Sequence, residues 1–169
     1  LLKNIGDDLH TINLGTPQGQ RQVAEMLRRR NHDFPEVSSI SVVDAQGNLI
    51  AASIPIAAPQ ANYSDREYFQ TARDRGIKGK TQISPSILGC KSERWSIPVT
   101  LPRYDAQGRF SGAIYVGVDI EKMIAYYRST IPFQGGAAAL YLLDGHLLAR
   151  HPNVEKALEK NFSDTPLFT

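Results

Sequence analysis

The sequence predicts an α+β domain: helices in the first third, then runs of antiparallel strands with short helices to one side. Three observations carry this. The first third has the three- and four-residue apolar spacing of amphipathic helices. Beyond Ser39 the period changes to that of strands. Three Asp…Gly turns then separate pairs of apolar runs, which implies hairpins and mostly antiparallel pairing.

Leu2, Ile5, Leu9 and Ile12 form one helical stripe, interrupted at Gly15-Thr16-Pro17. Pro17 suits the first turn of a second helix that runs to about Asn31 with Val23, Met26 and Leu27 apolar; Phe34-Pro35 ends helical structure. The first hairpin joins Ile40–Val43 to Asn48–Ala52 through Asp44-Ala45-Gln46-Gly47. The second joins Trp95–Leu101 to Phe110–Val118 through Tyr104–Gly108, and the third joins Leu140–Leu143 to Leu147–Ala149 through Asp144-Gly145. Between the first two, Ser64 and Glu67 have the spacing of a capping box, which predicts a helix from Ser64 to about Arg75 that stops at Gly76. Short helices are also predicted for Ile120–Ser129 and, capped by Asn153, for about Asn153–Lys160.

Composition narrows the function. The 169 residues are 41% apolar, enough for a core, and 19 basic against 17 acidic residues leave only +2, so a nucleic-acid partner is not expected. Arg28-Arg29-Arg30 reads as the solvated end of a helix. The single Cys90 excludes an internal disulfide framework and a Cys-based zinc site; it sits beside Lys91, as a loop cysteine or a reactive thiol. No apolar run approaches the ~18–20 residues of a membrane span, and Leu1 with Asp7-Asp8 is not a signal peptide, so the chain reads as a soluble piece of something larger. His10, His32, His146 and His151 lack metal-ligand spacing, Ser84 and Ser86 lack a nucleophile-elbow context, and Gly135-Gly136 precedes a strand. No enzyme activity, metal or cofactor is expected.

Val42–Asn48, Ser64–Phe69, Ile83-Ser84-Pro85, Phe110–Ile120 and Leu142–Arg150, in this order and spacing, resemble the extracytoplasmic double-Cache (PAS-like, PDC) sensor domains of bacterial histidine kinases, chemoreceptors and diguanylate cyclases. The resemblance spans roughly Phe34 to Lys160. It implies a long N-terminal helix, in a helical segment at 1–34, packed on the antiparallel sheet of a membrane-distal PAS-like Cache lobe at 35–130, and the start of a second, incomplete or reduced, membrane-proximal lobe at 131–169. It also implies a periplasmic sensing region anchored to the inner membrane only through flanking segments.

Part of that family binds free amino acids, and Arg66, Tyr68, Phe69 and Asp119 match its Arg, aromatic pair and Asp. A guanidinium can hold a carboxylate bidentately and an aspartate can accept from an ammonium. The sequence departs from the motif at Ala61, where the family has Tyr and the nearest tyrosine is Tyr63, and at Tyr68, where it has Trp. Each residue has a plainer role open to it. Arg66 can pair locally with Asp65 and Glu67, Phe69 can serve the core, Asp119 can cap the next helix, and Trp95 can fill the core. Strand parity adds Tyr115 and Asp119 on the less apolar face of Phe110–Asp119, with Trp95 and Ser96 on the neighbouring strand. The expected ligand-binding residues are therefore Arg66, Tyr68, Tyr115, Asp119, Tyr63, Trp95 and Ser96. The expected ligand is a small polar molecule bearing a carboxylate, an amino acid or organic acid; the alternative is a ligand-free lobe that responds to a periplasmic protein. The sparse stripe of the first helix further suggests a homodimer through that helix.

Overall fold

A computed structural model describes residues 1–55, 61–88, 94–130, 136–152, 157, 158 and 160–168. In chain order the elements are α1 (Leu2–Leu9), α2 (Pro17–His32), β1 (Val37–Val43), β2 (Leu49–Ala52), α3 (Glu67–Arg75), β3 (Gln82–Ile83), β4 (Ile87–Leu88), β5 (Trp95–Tyr104), β6 (Phe110–Asp119), α4 (Ile120–Thr130), β7 (Ala138–Tyr141) and β8 (Leu147–His151). One sheet has the order β2-β1-β6-β5-β3, with β4 also paired to β5; β7 and β8 form another. The α+β class is as expected. Cys90, Gly135 and the Asn153 cap lie outside the described residues, as does most of the last expected helix.

The chain forms two compact units, each from two stretches: Leu1–Ser84 with Val99–Gly117, and Pro85–Pro98 with Val118–Thr169. The sequence expectation divided the chain linearly at residue 130; in the structure, 85–98 and 118–130 fall in the second unit.

In the first unit the N-terminal segment is two helices, as the break at Gly15-Thr16-Pro17 predicts, rather than the one long helix that the resemblance implies. Thr16 Oγ accepts from the Gly19 N–H at 3.1 Å and Pro17 takes the first turn, so α2 starts afresh after the break. Asp8 and Arg30 tie the helices at 3.1 Å. Leu2, Ile5 and Leu9 are buried within this unit, where Gly6 faces the side chains of Leu101 and Ile114. The stripe thus finds cover in its own fold, and the case for a homodimer loses its apolar argument. Val23 and Leu27, four apart on α2, are fully buried, and α2 packs on β1 and β2.

The helix after Tyr63 differs from expectation at its start. Its N-cap is Arg66, with no side-chain cap, instead of Ser64. The reason is local: Asn62 Oδ1 already accepts from the Ser64 N–H at 2.9 Å, and the Arg66 N–H bonds to the Tyr63 carbonyl at 3.0 Å, which delays the helix. Gly76 ends it, and a Cβ there would meet the Ala72 carbonyl.

The second unit packs Ile97, Ile120, Ile124, Leu147, Leu148 and Leu158 into one core. Burying each such side chain contributes roughly 1.5–3 kcal/mol. α4 lies on β8, and Ser86 Oγ donates to the Leu148 carbonyl at 2.9 Å.

The two units repeat one motif. Val43 pairs with Leu49 and Val42 with Ala51, and in the other hairpin Tyr141 pairs with Leu147 and Leu140 with Ala149, the register slipping at the same place. Gly47 and Gly145 occupy the left-handed region at φ 82° and 89°, and a Cβ on either would strike the backbone N of Ser64 or Ser163. The Tyr63 N–H bonds to the Gly47 carbonyl at 2.8 Å, as the Phe162 N–H does to that of Gly145 at 2.8 Å. Asn62-Tyr63-Ser64-Asp65 therefore corresponds to Asn161-Phe162-Ser163-Asp164.

Candidate functional site

A cavity in the first unit is lined by Ser41, Val43, Tyr63, Tyr68, Phe69, Thr100, Ala113 and Tyr115. Period-two alternation aims Ser41 and Val43 of β1 and Ala113 and Tyr115 of β6 to the same face of the sheet, with Thr100 from β5. The less apolar face expected for β6 is thus a cavity wall. Tyr68 and Phe69, from the first turn of α3, and Tyr63, just before it, supply the other side.

The cavity spans about 270 Å³ including its open mouth, and as it stands has room for about one water. Tyr68 and Tyr115 stack across it with centroids 4.7 Å apart and planes 24° apart, so nothing fits between the rings as they stand. Tyr68 is only 6% exposed. Burial pushes its phenol well above the usual range, reinforced by Tyr115 and Tyr63 and opposed by the Arg66 charge. Burial likewise raises Tyr63, again against Arg66. Both phenols stay protonated and able to donate.

Arg66 is not among the lining residues, yet its charge acts on both phenols. It ends the turn Tyr63–Arg66 and begins α3, its guanidinium half-exposed and 3.5 Å from the Asp65 carboxylate. Phe69, expected in the core, is 1% exposed and meets Phe110 edge-on at 5.8 Å. Thr100 is 1% exposed, and its Oγ has no hydrogen-bond partner among the described residues.

Of the expected site residues, Tyr63, Tyr68 and Tyr115 come together in this cavity, with Arg66 beside them in the same unit. Asp119, Trp95 and Ser96 belong to the second unit. There Asp119, almost fully buried, accepts from the N–H groups of Glu121 at 3.0 Å and Lys122 at 3.3 Å and so caps α4, while its other oxygen is 3.6 Å from Arg94. Trp95 is half-buried against the second core, and Ser96 is buried in the β4–β5 ladder opposite Ile87. The sequence reading missed Ser41, Val43 and Thr100. The one available signal was a hydroxyl at Ser41 and Thr100 inside otherwise apolar runs. Among the described residues no group of three His, Cys, Asp or Glu could hold a metal, and no helix is long and apolar enough to cross a membrane.

The dCache_1 profile, described as Cache domain, matches residues 1–167, and the chain belongs to that family. Cache domains of this class are non-enzymatic, extracytoplasmic ligand-binding modules of membrane receptors. Among solved structures it is similar to the extracellular domain of rpHK1S-Z16, described as a histidine kinase, at 26% identity and TM-score 0.74, covering 86% of this chain and 58% of that one. The amino acid chemoreceptor PctC of Pseudomonas aeruginosa PAO1, solved with GABA, matches at 15% identity and TM-score 0.69, over 96% of this chain and 69% of the other. The Campylobacter jejuni chemoreceptor Tlp3 ligand-binding domain, solved with 4-methylisoleucine, matches at 13% and 0.67, over 98% and 65%. The chain thus spans 58% of the length of the histidine-kinase domain. No curated protein matches the sequence.

Proposed function

We propose that this chain is the periplasmic sensing region of a transmembrane receptor and that its first unit binds a small carboxylate-bearing ligand, with an amino acid ranked above a simple organic acid. In this proposal the first unit carries the membrane-distal lobe and the C-terminal part of the chain opens the membrane-proximal one.

The observation that carries it is Arg66 at the N-terminus of α3, next to a tyrosine-lined cavity whose phenols feel its charge. A carboxylate at the mouth gains a guanidinium, the positive end of the helix dipole and protonated phenol donors together. The amino-acid ligands of PctC and Tlp3 support the class of ligand. A ligand body entering the cavity must separate the Tyr68–Tyr115 stack, so the liganded and free states differ in packing, which a sensor requires.

The stack itself favours a second reading. A cavity already filled by its own tyrosines suits a ligand-free lobe that responds to a periplasmic protein.

A thermal-shift screen of amino and organic acids separates the two. A ligand at ~100 times its Kd stabilises the domain by about 2.7 kcal/mol, a melting shift of about 5–10 °C for a chain of this size. Arg66→Ala should abolish that shift and change the unliganded melting point little, because its side chain is 43% exposed. If no acid shifts the wild type and the mutant is destabilised by several kcal/mol, Arg66 is structural and the ligand reading is wrong.

A further inference from the structure

We infer that the outer edge of β3 in the first unit is a docking edge for an extended acidic segment of another protein, one in which acidic and apolar residues alternate. The edge is not part of the cavity lining, and the inference stands whether or not that cavity takes a ligand.

Two features meet here. β3 ends the strand order of its sheet, pairing with β5 through Gln82–Thr100 and Ile83–Val99, and its outer side pairs with no strand among the described residues. Such an edge offers backbone donors and acceptors to an extended chain. The stretch before it is strongly basic. Residues 73–80 hold Arg73, Arg75, Lys78 and Lys80 against Asp74 alone, four basic to one acidic, a net +3 where the whole chain carries +2. Asp74 pairs with Arg73 at 2.7 Å, and Arg75, Lys78 and Lys80, all exposed, form no ion pair among the described residues.

This basic stretch is fixed beside the strand. The Tyr104 hydroxyl of β5 donates to the Gly76 carbonyl at 2.7 Å, and the Gln82 side-chain amide donates to the Arg75 carbonyl at 3.2 Å. The Lys80 N–H bonds to the Ile77 carbonyl at 3.0 Å and closes a turn with Gly79 at φ 74°. Register then sets the pattern of the partner. Residues paired across strands share a face, so Gln82 lies on the face of Thr100, with the end of α3, and Ile83, 51% exposed, lies on the face of Val99. A strand added to β3 sends alternate side chains to these two faces: acidic ones beside the bases, apolar ones beside Ile83. Charge also decides against a second copy of this chain, which would bring its own bases to the same edge. A lipid surface would use the bases and leave the strand edge unpaired.

The probe is the capped, fluorophore-labelled peptide Glu-Val-Glu-Val-Glu-Val-Glu, followed by anisotropy. It should bind at least about tenfold tighter than the block peptide Glu-Glu-Glu-Glu-Val-Val-Val, and N-methylation of every backbone nitrogen should cost as much. Lys78→Glu with Lys80→Glu should weaken it about tenfold or more, and added salt should weaken it further. Hydrogen exchange should slow at 81–84 in the complex. Equal binding of the alternating, block and methylated peptides overturns the inference, because the bases then act only as diffuse charge. So does binding that survives the double substitution, or no binding at all. Capture on vesicles of phosphatidylglycerol and phosphatidylcholine without peptide binding, lost in the double variant, overturns it in favour of a lipid surface. Should the double variant not fold, Lys78→Gln with Lys80→Gln takes its place, and undiminished binding there counts equally against the inference.

Discussion

Asn62-Tyr63-Ser64-Asp65-Arg66 and Asn161-Phe162-Ser163-Asp164-Thr165 make the same turn with the same hydrogen bonds, down to a 3.0 Å bond closing each from Arg66 N–H to Tyr63 and from Thr165 N–H to Phe162. The residues that build the turn are kept: Asn62 and Asn161 Oδ1 accept from Ser64 and Ser163 at 2.9 and 2.8 Å. The residues that differ are the ones that face outward from it chemically. The phenol of Tyr63 becomes a plain ring at Phe162, the cation of Arg66 becomes a hydroxyl at Thr165, and Tyr68 becomes Leu167. Val43, which leaves room in the first unit, corresponds to Tyr141, whose ring packs edge-on against Phe162 at 5.6 Å and Phe168 at 5.5 Å. One backbone device thus serves two ends: a cavity beside a cation in one unit, an aromatic cluster in the other. The turn is held by backbone bonds and its Asn side chain, which leaves the aromatic position and those after Asp free to diverge.

The largest effects should come from the cores. Leu27 and Leu147 are each fully buried, in the first and second unit respectively. Either one changed to Ala should cost about 2–5 kcal/mol. Hydrogen exchange should show the loss of protection concentrated in the unit that holds the substitution. Uniform loss from both would mean that the chain unfolds as one cooperative body.

Val43→Tyr copies the second unit's solution into the first. Filling the cavity this way should cost roughly 1–3 kcal/mol through overpacking, and it should abolish stabilisation by any acid that shifts the wild type. Ligand binding that survives Val43→Tyr would mean that the site lies elsewhere.

A smaller effect belongs to Asp119. As the cap of α4 it should cost about 0.5–2 kcal/mol when changed to Ala, read as a lower chemical-denaturation midpoint, with Asp119→Asn recovering most of it. Equal losses in the two variants would show that the pairing with Arg94, rather than the cap, is what matters.

What could be read from the sequence was what depends on near neighbours. The Asp…Gly hairpins were legible because the device is local: Asp44 Oδ1 accepts from Gln46 and Asn48 N–H at 2.9 and 2.8 Å, and Asp105 Oδ1 from Gln107 and Arg109 N–H at 2.9 Å each, with Gly47 and Gly108 at positive φ. The Thr16-Pro17 start of α2 was legible for the same reason. The Ser64 cap was not, because Asn62 competes for the Ser64 N–H and pairing statistics ignore that. The cavity was half legible. Parity within β6 identified Tyr115 and Ala113, but Ser41, Val43 and Thr100 join them only because β1 and β5 flank β6 in the sheet, an order fixed by distant pairing. The paired Asn-aromatic-Ser-Asp segments, in contrast, stand in the sequence for anyone who aligns it with itself.

Hydrogen exchange with and without an acid that stabilises the domain tests the central claim most directly, because both copies of the turn report in one experiment. The ligand should slow exchange in 62–70 and 110–117 and leave 161–168 unchanged, and Arg66→Ala should erase the difference. Slowed exchange at 161–168, or equal protection of the two turns, would contradict the assignment of the ligand to the first unit.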